Sequence, residues 1–342
     1  MMSYLEELSQ MDLVSCRDRF FELCDSPAQA QECVLLDMVS RNADTEFGRL
    51  HGFADIHSVE EYRNRLPVSD WNSFEPYSNQ MQEGAQDVLF SGAPNMFLLS
   101  SGTTGKTKYI PESAEGARAK EVTSKLRRLL MIPHLFAIPN FCFLPFSNRA
   151  VLNRTPAGIP ACTASGVTLM STPPDIRERI AFPLDVLRCD DPGALDYLAM
   201  RFALEKDVNM IVGNNPVRMA QFFAMADARK EELLEDIARG VVGGQIAIEE
   251  SLRAQLETRC GAPNPERARE LAALAERRGC LAPRDYWPGL RVASCWLSGS
   301  VGGHVTSLHP WVGDAIQFLD CGYGASEGKF NEIGRASCRE RV

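Results

Sequence analysis

Three times in this 342-residue chain an apolar run stops at a cluster of glycine and hydroxyl residues: "MFLLSSGTTGKTKYIP" (Met96–Pro111), "LRVASCWLSGS" (Leu290–Ser300) and "AIQFLDCGYGASEG" (Ala315–Gly328). A short apolar run bounded by such residues is the mark of a buried strand ending in a tight loop. "FCFLPFS" and "DVNMIVG" supply two further runs of the same kind. Between them lie helical stretches. "SVEEYRNRLP" offers Ser58 as N-cap with Glu61 three residues on, and Pro67 stops the run. "NPVRMAQFFAMADARKEELLEDIARG" reads as one long amphipathic helix closed by Gly240. "NPERARELAALAERRG" starts at Asn264 with Pro265 in the first helical position and ends at Gly279. Residues 3–41 read as two helices. Strands alternating with helices predict an α/β fold with mainly parallel sheets flanked by helices.

The loop at Ser100–Lys108 is the most informative chemically. Gly102 and Gly105 let backbone approach a ligand closely, and Ser100, Ser101, Thr103 and Thr104 add hydroxyls. Successive backbone N–H groups in such a turn make an anion-binding concavity, and Lys106 and Lys108 add positive charge. Together these suit a polyphosphate. A Walker A loop would end correctly at Gly105-Lys106-Thr107, but its first glycine would fall on Ser100. That reading is set aside, and a plain polar turn remains the bland alternative for the loop taken alone.

Composition narrows the setting. The apolar fraction is 45% and the charged fraction 24%, ordinary for a globular protein. A net charge of -9 argues against nucleic acid or an anionic membrane as a partner of the whole surface. No run of about 18 apolar residues is present to span a bilayer, and no secretory signal stands at the N-terminus. The eleven cysteines are scattered without a CxxC pair, so they are expected as reduced thiols, Cys295 and Cys321 among them in the core. A cytoplasmic protein is expected. His304 and His309 stand five apart with no acidic companion and are expected to pack or face solvent.

"SSGTTGKTK" resembles the phosphate loop of the adenylate-forming superfamily, with Thr107 in place of its usual proline. "YGASEG" (Tyr323–Gly328) is similar to that superfamily's second landmark, an aromatic-Gly-x-Ser/Thr-Glu turn. The surrounding text, from "RNADTEFGRLHGFADIHSVEEYRNRLPVSDWNSFEPY" through "VGNNPVRMAQFF" and "EDIARG" to "CWLSGSVGGHV", resembles the plant auxin-responsive (Gretchen Hagen three) acyl-acid amido synthetases over most of residues 40–331.

The resemblance implies the large N-terminal domain of an adenylate-forming ligase over residues 1–331. Such an enzyme uses ATP and Mg²⁺ to join a small-molecule carboxylic acid to an amino acid. It implies that Ser100, Ser101, Gly102, Thr103, Thr104, Gly105 and Lys106 hold phosphate. Lys108, Thr104 and Glu327 would serve catalysis, with Glu327 also binding the metal. Tyr323, Gly324, Ala325 and Ser326 would border the nucleotide, and Ser298, Gly299 and Ser300 its base. Phe143–Gly166 and Asn214-Asn215 are candidate walls of the acyl pocket. Two alternatives stay open: an acyl-CoA ligase of the same superfamily, and a catalytically silent nucleotide-binding protein.

Enzymes of this superfamily continue beyond the "YGASEG" turn into a ribose-binding aspartate, a hinge and a C-terminal lid domain, and nothing of that kind follows Asn331 here. "EIGRASCRERV" (332–342) reads instead like the in-frame translation of a sequencing adapter. The expectation is an artefactual tail on a truncated gene, with the lid domain missing and catalysis by the fragment impaired.

Overall fold

A capping side chain decides where the second helix begins. A computed structural model of the protein describes residues 4–101, 106–131, 138–243, 246–322 and 324–328. Three helices, not two, occupy the start of the chain: Tyr4–Gln10, Leu13–Cys24 and Pro27–Arg41. Asp12 restarts the chain as a helix by accepting from the backbone N–H of Val14 and Ser15. Pro27, lacking an N–H, can only open a new one. At Val59–Arg65 the expected cap is present: Ser58 Oγ accepts from Glu61 N at 3.2 Å. The Glu61 carboxylate reaches back to His57 N at 2.6 Å, satisfying a second exposed donor.

Eight strands are found among the described residues. The first four are β1 (Met96–Ser101), β2 (Thr107–Glu112), β3 (Phe143–Pro145) and β4 (Val151–Arg154). The others are β5 (Pro160–Cys162), β6 (Met210–Val212), β7 (Val292–Cys295) and β8 (Gln317–Asp320). They belong to two compact units. The first takes in Met1–His134, Val151–Ala164 and Gly322–Val342; the second takes in Leu135–Ala150 and Ser165–Cys321.

In the first unit the sheet order is β2-β1-β5-β4, with β1 antiparallel to β2 and parallel to β5. A parallel partner needs a crossover of a dozen residues or more, so the few residues between β1 and β2 can only reverse the chain. Phe97 of β1 packs into a small core with Met81, Val88 and Ala161.

The second unit carries the parallel sheet that the strand–helix alternation predicts, in the order β3-β6-β7-β8. β7 is buried along its whole length, as a strand covered on both faces should be. The main core surrounds this sheet. Trp287 is wholly enclosed, edge-on to Phe223, and its indole N–H donates to Ala203 O at 3.2 Å.

The long helix expected over residues 215–240 is two, Pro216–Ala228 and Lys230–Arg239, because Arg229 leaves the helical range at φ -110°, ψ 22°. The break places the Arg229 guanidinium 4.2 Å from the centre of the Tyr197 ring and beside Glu232. One displaced residue barely disturbs a 3.6-residue period, so the sequence pattern runs through it. Gly240 does close the second helix in the left-handed region, at φ 68°. Asn264 likewise caps Pro265–Arg278 by accepting from Arg267 N at 3.1 Å.

Candidate functional site

The antiparallel ladder of β1 and β2 runs from Met96 opposite Glu112 to Ser100 opposite Lys108 and Ser101 opposite Thr107. The expected phosphate loop therefore hangs between two paired strands. Gly102, Thr103, Thr104 and Gly105 lie outside the described residues, as does Tyr323. The residues flanking the loop are described. Ser100 and Lys108 are half-buried and Lys106 is exposed.

The helix Trp71–Gln82, capped by Asp70 accepting from Asn72 N at 3.0 Å, runs beside this hairpin. It meets both lysines. Lys106 pairs with Glu75, and the Lys108 ammonium stands 5.8 Å from the centre of the Trp71 ring. A polar cleft of about 220 Å³ opens between helix and hairpin, lined by Trp71, Glu75, Asn79 and Gln82 on one side and Lys106, Thr107 and Tyr109 on the other.

The same unit holds the second landmark. Ala325 N donates to Gly328 O at 2.9 Å and Gly328 N returns to Ala325 O at 3.3 Å. This closes a tight turn with Ser326 half-buried and Glu327 exposed at its tip. The Ser326 carbonyl accepts from Lys120 Nζ at 2.6 Å, and Lys120 also pairs with the buried Glu112 of β2. Lys120 and Glu112 belong to no motif read from the sequence. A contact 206 residues apart in the chain leaves no local signal.

Among the described residues no three His, Cys, Asp or Glu side chains gather into a metal cluster. An exposed lone carboxylate such as Glu327 fits Mg²⁺, which takes one or two protein oxygens and finds its other ligands in phosphate and water.

In the second unit, the exposed Ser298, Gly299 and Ser300 lead from β7 into a single helical turn, Gly299–Gly302. Ser298 Oγ donates to Asp320 Oδ2 at 3.1 Å, and Asp320 pairs in register with Cys295. This turn sits at the carboxyl edge of the parallel sheet, the edge at which open α/β sheets receive ligands. Cys295 and Cys321 are buried thiols, as expected, and burial pushes Cys295 up to about 12, reinforced by Cys321 and Asp320 beside it.

Asn215, a candidate pocket wall, also caps the helix that follows it, accepting from Val217 N at 2.9 Å. One expectation changes. His309 has an acidic companion after all: Asp314 Oδ1 lies 2.9 Å from its Nδ1, while His304 is exposed.

Residues 16–316 match the model of the GH3 family N-terminal domain. The chain is 27% identical over 326 residues to jasmonoyl–L-amino acid synthetase GH3.3 of Oryza sativa subsp. japonica, covering 91% of this chain and 69% of that protein. It is 23% identical over 336 residues to indole-3-acetic acid-amido synthetase GH3.5 of Arabidopsis thaliana, covering 93% of this chain and 53% of the relative. Among solved structures, the GH3.15 acyl acid amido synthetase superposes with a TM-score of 0.75 at 19% identity, over 95% of this chain and 55% of that one. The same enzyme in complex with 2,4-DB gives 0.75 at 18%, over 92% and 56%. At these identities the structures establish the fold. The chain spans about half the length of most of the relatives it matches.

Proposed function

This chain belongs to the GH3 family, and from that premise we propose that the protein adenylates a small-molecule carboxylic acid with ATP and transfers the acyl group to an amino acid. A free carboxylate is a poor acylating agent. In the first step its oxygen attacks the α-phosphorus of ATP and the bond to pyrophosphate breaks. In the second, the amine nitrogen attacks the acyl carbon, the bond to AMP breaks and the nitrogen loses a proton.

One observation carries this reading. A single unit holds both a hydroxyl- and lysine-flanked hairpin and a tight turn presenting a carboxylate, and both lead to β2. Ser100, Ser101 and the loop that follows would cradle the terminal phosphates, with Lys108 countering their charge. Glu327 would hold Mg²⁺, which when bound screens phosphate charge. Tyr323 would stack on the base. We assign residues 1–331 to the adenylation part of the enzyme. No helix among the described residues is long and apolar enough to cross a membrane. The ten described cysteines are free thiols, which supports a cytoplasmic setting.

The relatives' names span jasmonic and indole-3-acetic acids, so the family supports the reaction without choosing the acid. Acid-dependent exchange of pyrophosphate into ATP by the whole protein tests the first step, and a scan of amino acids and CoA tests the second. An amide product is expected. A thioester product would move the protein to the acyl-CoA ligases, and no exchange with any acid would leave a silent nucleotide-binding protein.

A further inference from the structure

Lys120 lies in the helix Ala114–Met131, far in sequence from both landmarks. Its ammonium makes two contacts, one to the Ser326 carbonyl and one to the Glu112 carboxylate. Glu112 is only 6% exposed, and its Oε1 has no hydrogen-bond partner among the described residues. The pair is thus a costly way to hold a helix on a strand. Desolvating the Glu112 carboxylate is repaid only when its remaining lone pairs are satisfied, and an apolar contact of the same volume would do as well or better. The helix is nonetheless shaped to keep it. A methyl group added at Gly116, one turn before Lys120, would stand 2.8 Å from Glu112 Oε1.

The geometry is informative where the energy is not. Glu112 lies four residues after Lys108 on β2, and side chains at that spacing project from the same strand face. Ser326 is the immediate neighbour of Glu327, inside a turn closed by two backbone hydrogen bonds. A tie to the Ser326 carbonyl therefore sets the place of the whole turn, and the Glu112 contact refers that place to the strand leaving the phosphate loop.

We propose that Lys120 is a positioning residue: it fixes the Glu327 carboxylate relative to β2, so that a divalent cation carried by ATP is captured. This rests on the nucleotide reading above. The ammonium acts through backbone and carboxylate and has no contact with the nucleotide in this role. Residues that orient a ligating carboxylate commonly govern metal affinity as strongly as ligands do.

Calorimetric titration of this chain with ATP, in excess Mg²⁺ and in EDTA, tests the assignment. In the parent, Mg²⁺ is expected to tighten ATP binding. K120M should lose about tenfold or more of that Mg²⁺-dependent gain, while affinity in EDTA, set by the loop, changes little. K120M also strands the buried Glu112 charge. The double variant E112Q/K120M removes both charges together and should unfold near the parental temperature while losing the same gain. K120R, which keeps the charge, should recover part of it.

A folded E112Q/K120M chain with the parental Mg²⁺ gain overturns the role of Lys120 alone. A parent that binds no ATP overturns the nucleotide reading, and the positioning role with it.

Discussion

Ser100 and Lys108 face one another across the antiparallel ladder of β1 and β2, at the mouth of the loop expected to hold phosphate. A polyphosphate in that loop would draw on Lys108, whose ammonium now stands 5.8 Å from the centre of the Trp71 ring. A half-exposed cation–π contact is worth about 0.5–1 kcal/mol. A charge-assisted contact to phosphate is worth about 1.5–3 kcal/mol. K108M is therefore expected to weaken ATP binding by about tenfold or more while shifting urea stability by about 1 kcal/mol at most. Tryptophan emission should change on ATP binding, and the W71F variant should lose that response. Unaltered ATP affinity in folded K108M would remove Lys108 from the site.

A second expectation concerns the core of the other unit. Arg201 has no accessible surface, and its guanidinium donates to Val241 O at 3.0 Å and Asp236 O at 3.1 Å while pairing with Glu205. R201L would remove the guanidinium donor from Val241 O, Asp236 O and Glu205, leaving Asp236 O its bonds from Gly240 N and Val241 N and Glu205 that from Asn264, at a cost of about 3–5 kcal/mol in urea unfolding. Arg239, paired with Glu235 at 3.1 Å on the surface, provides the contrast. R239A should cost about 0.5 kcal/mol or less. Equal effects of the two changes would contradict the difference in burial.

Alkali should destabilise the fold earlier than its ion pairs would suggest. Burial raises the thiols of Cys142 to about 11 and Cys295 to about 12, against an ordinary value of about 8.5. Burial also raises the Tyr286 phenol, and the Tyr197 phenol is raised by burial and by its hydrogen bond to Asp236. The unfolded chain releases these protons first, so the native state holds more of the thiol protons above about pH 8.5 and more of the phenol protons above about pH 10. Each contribution is complete below the pH given for its group and is lost as pH climbs toward the folded values. Each thiol contributes a slope of about 1.4 kcal/mol per pH unit. Urea titrations in reductant between about pH 8 and 10 measure the slope, and C295A should remove one proton from it. A stability independent of pH over that interval would be the opposing result.

What could be read from the sequence is what is local. Ser58, Asn264 and Gly240 do at their helix ends what their side chains, or the lack of one, dictate within four residues. The two landmark loops could be read because each joins a strand to small residues. Two features had no such signal. The break at Arg229 goes with a contact to Tyr197, thirty-two positions upstream, which leaves no local signal. The tie between Lys120 and Ser326 exists only once β2, the Ala114–Met131 helix and the turn are assembled. The parallel sheet followed from alternation, whereas the mixed sheet came from the short β1–β2 connection.

The adjacent glycines after the Ser298 turn separate a steric requirement from a mere absence of side chain. An added Cβ at Gly302 would lie 2.2 Å from the carbonyl oxygen of Leu297 and 2.7 Å from its carbon, backbone atoms that cannot swing aside. At Gly303 the nearest atom would be Ser300 O at 3.9 Å, and the backbone there is right-handed helical at φ -60°, ψ -18°. G302A must therefore rebuild the turn that aims Ser298 at Asp320, and overpacking of this kind costs about 1–3 kcal/mol. G303A meets no obstacle and narrows the unfolded ensemble, so it should be neutral or stabilising by up to about 1 kcal/mol. Urea unfolding of the two variants should move in opposite directions or, at the least, differ by more than about 1 kcal/mol. Matching midpoints would mean that the Leu297 carbonyl yields freely, and the close packing of this turn would then have no bearing on the placement of Ser298.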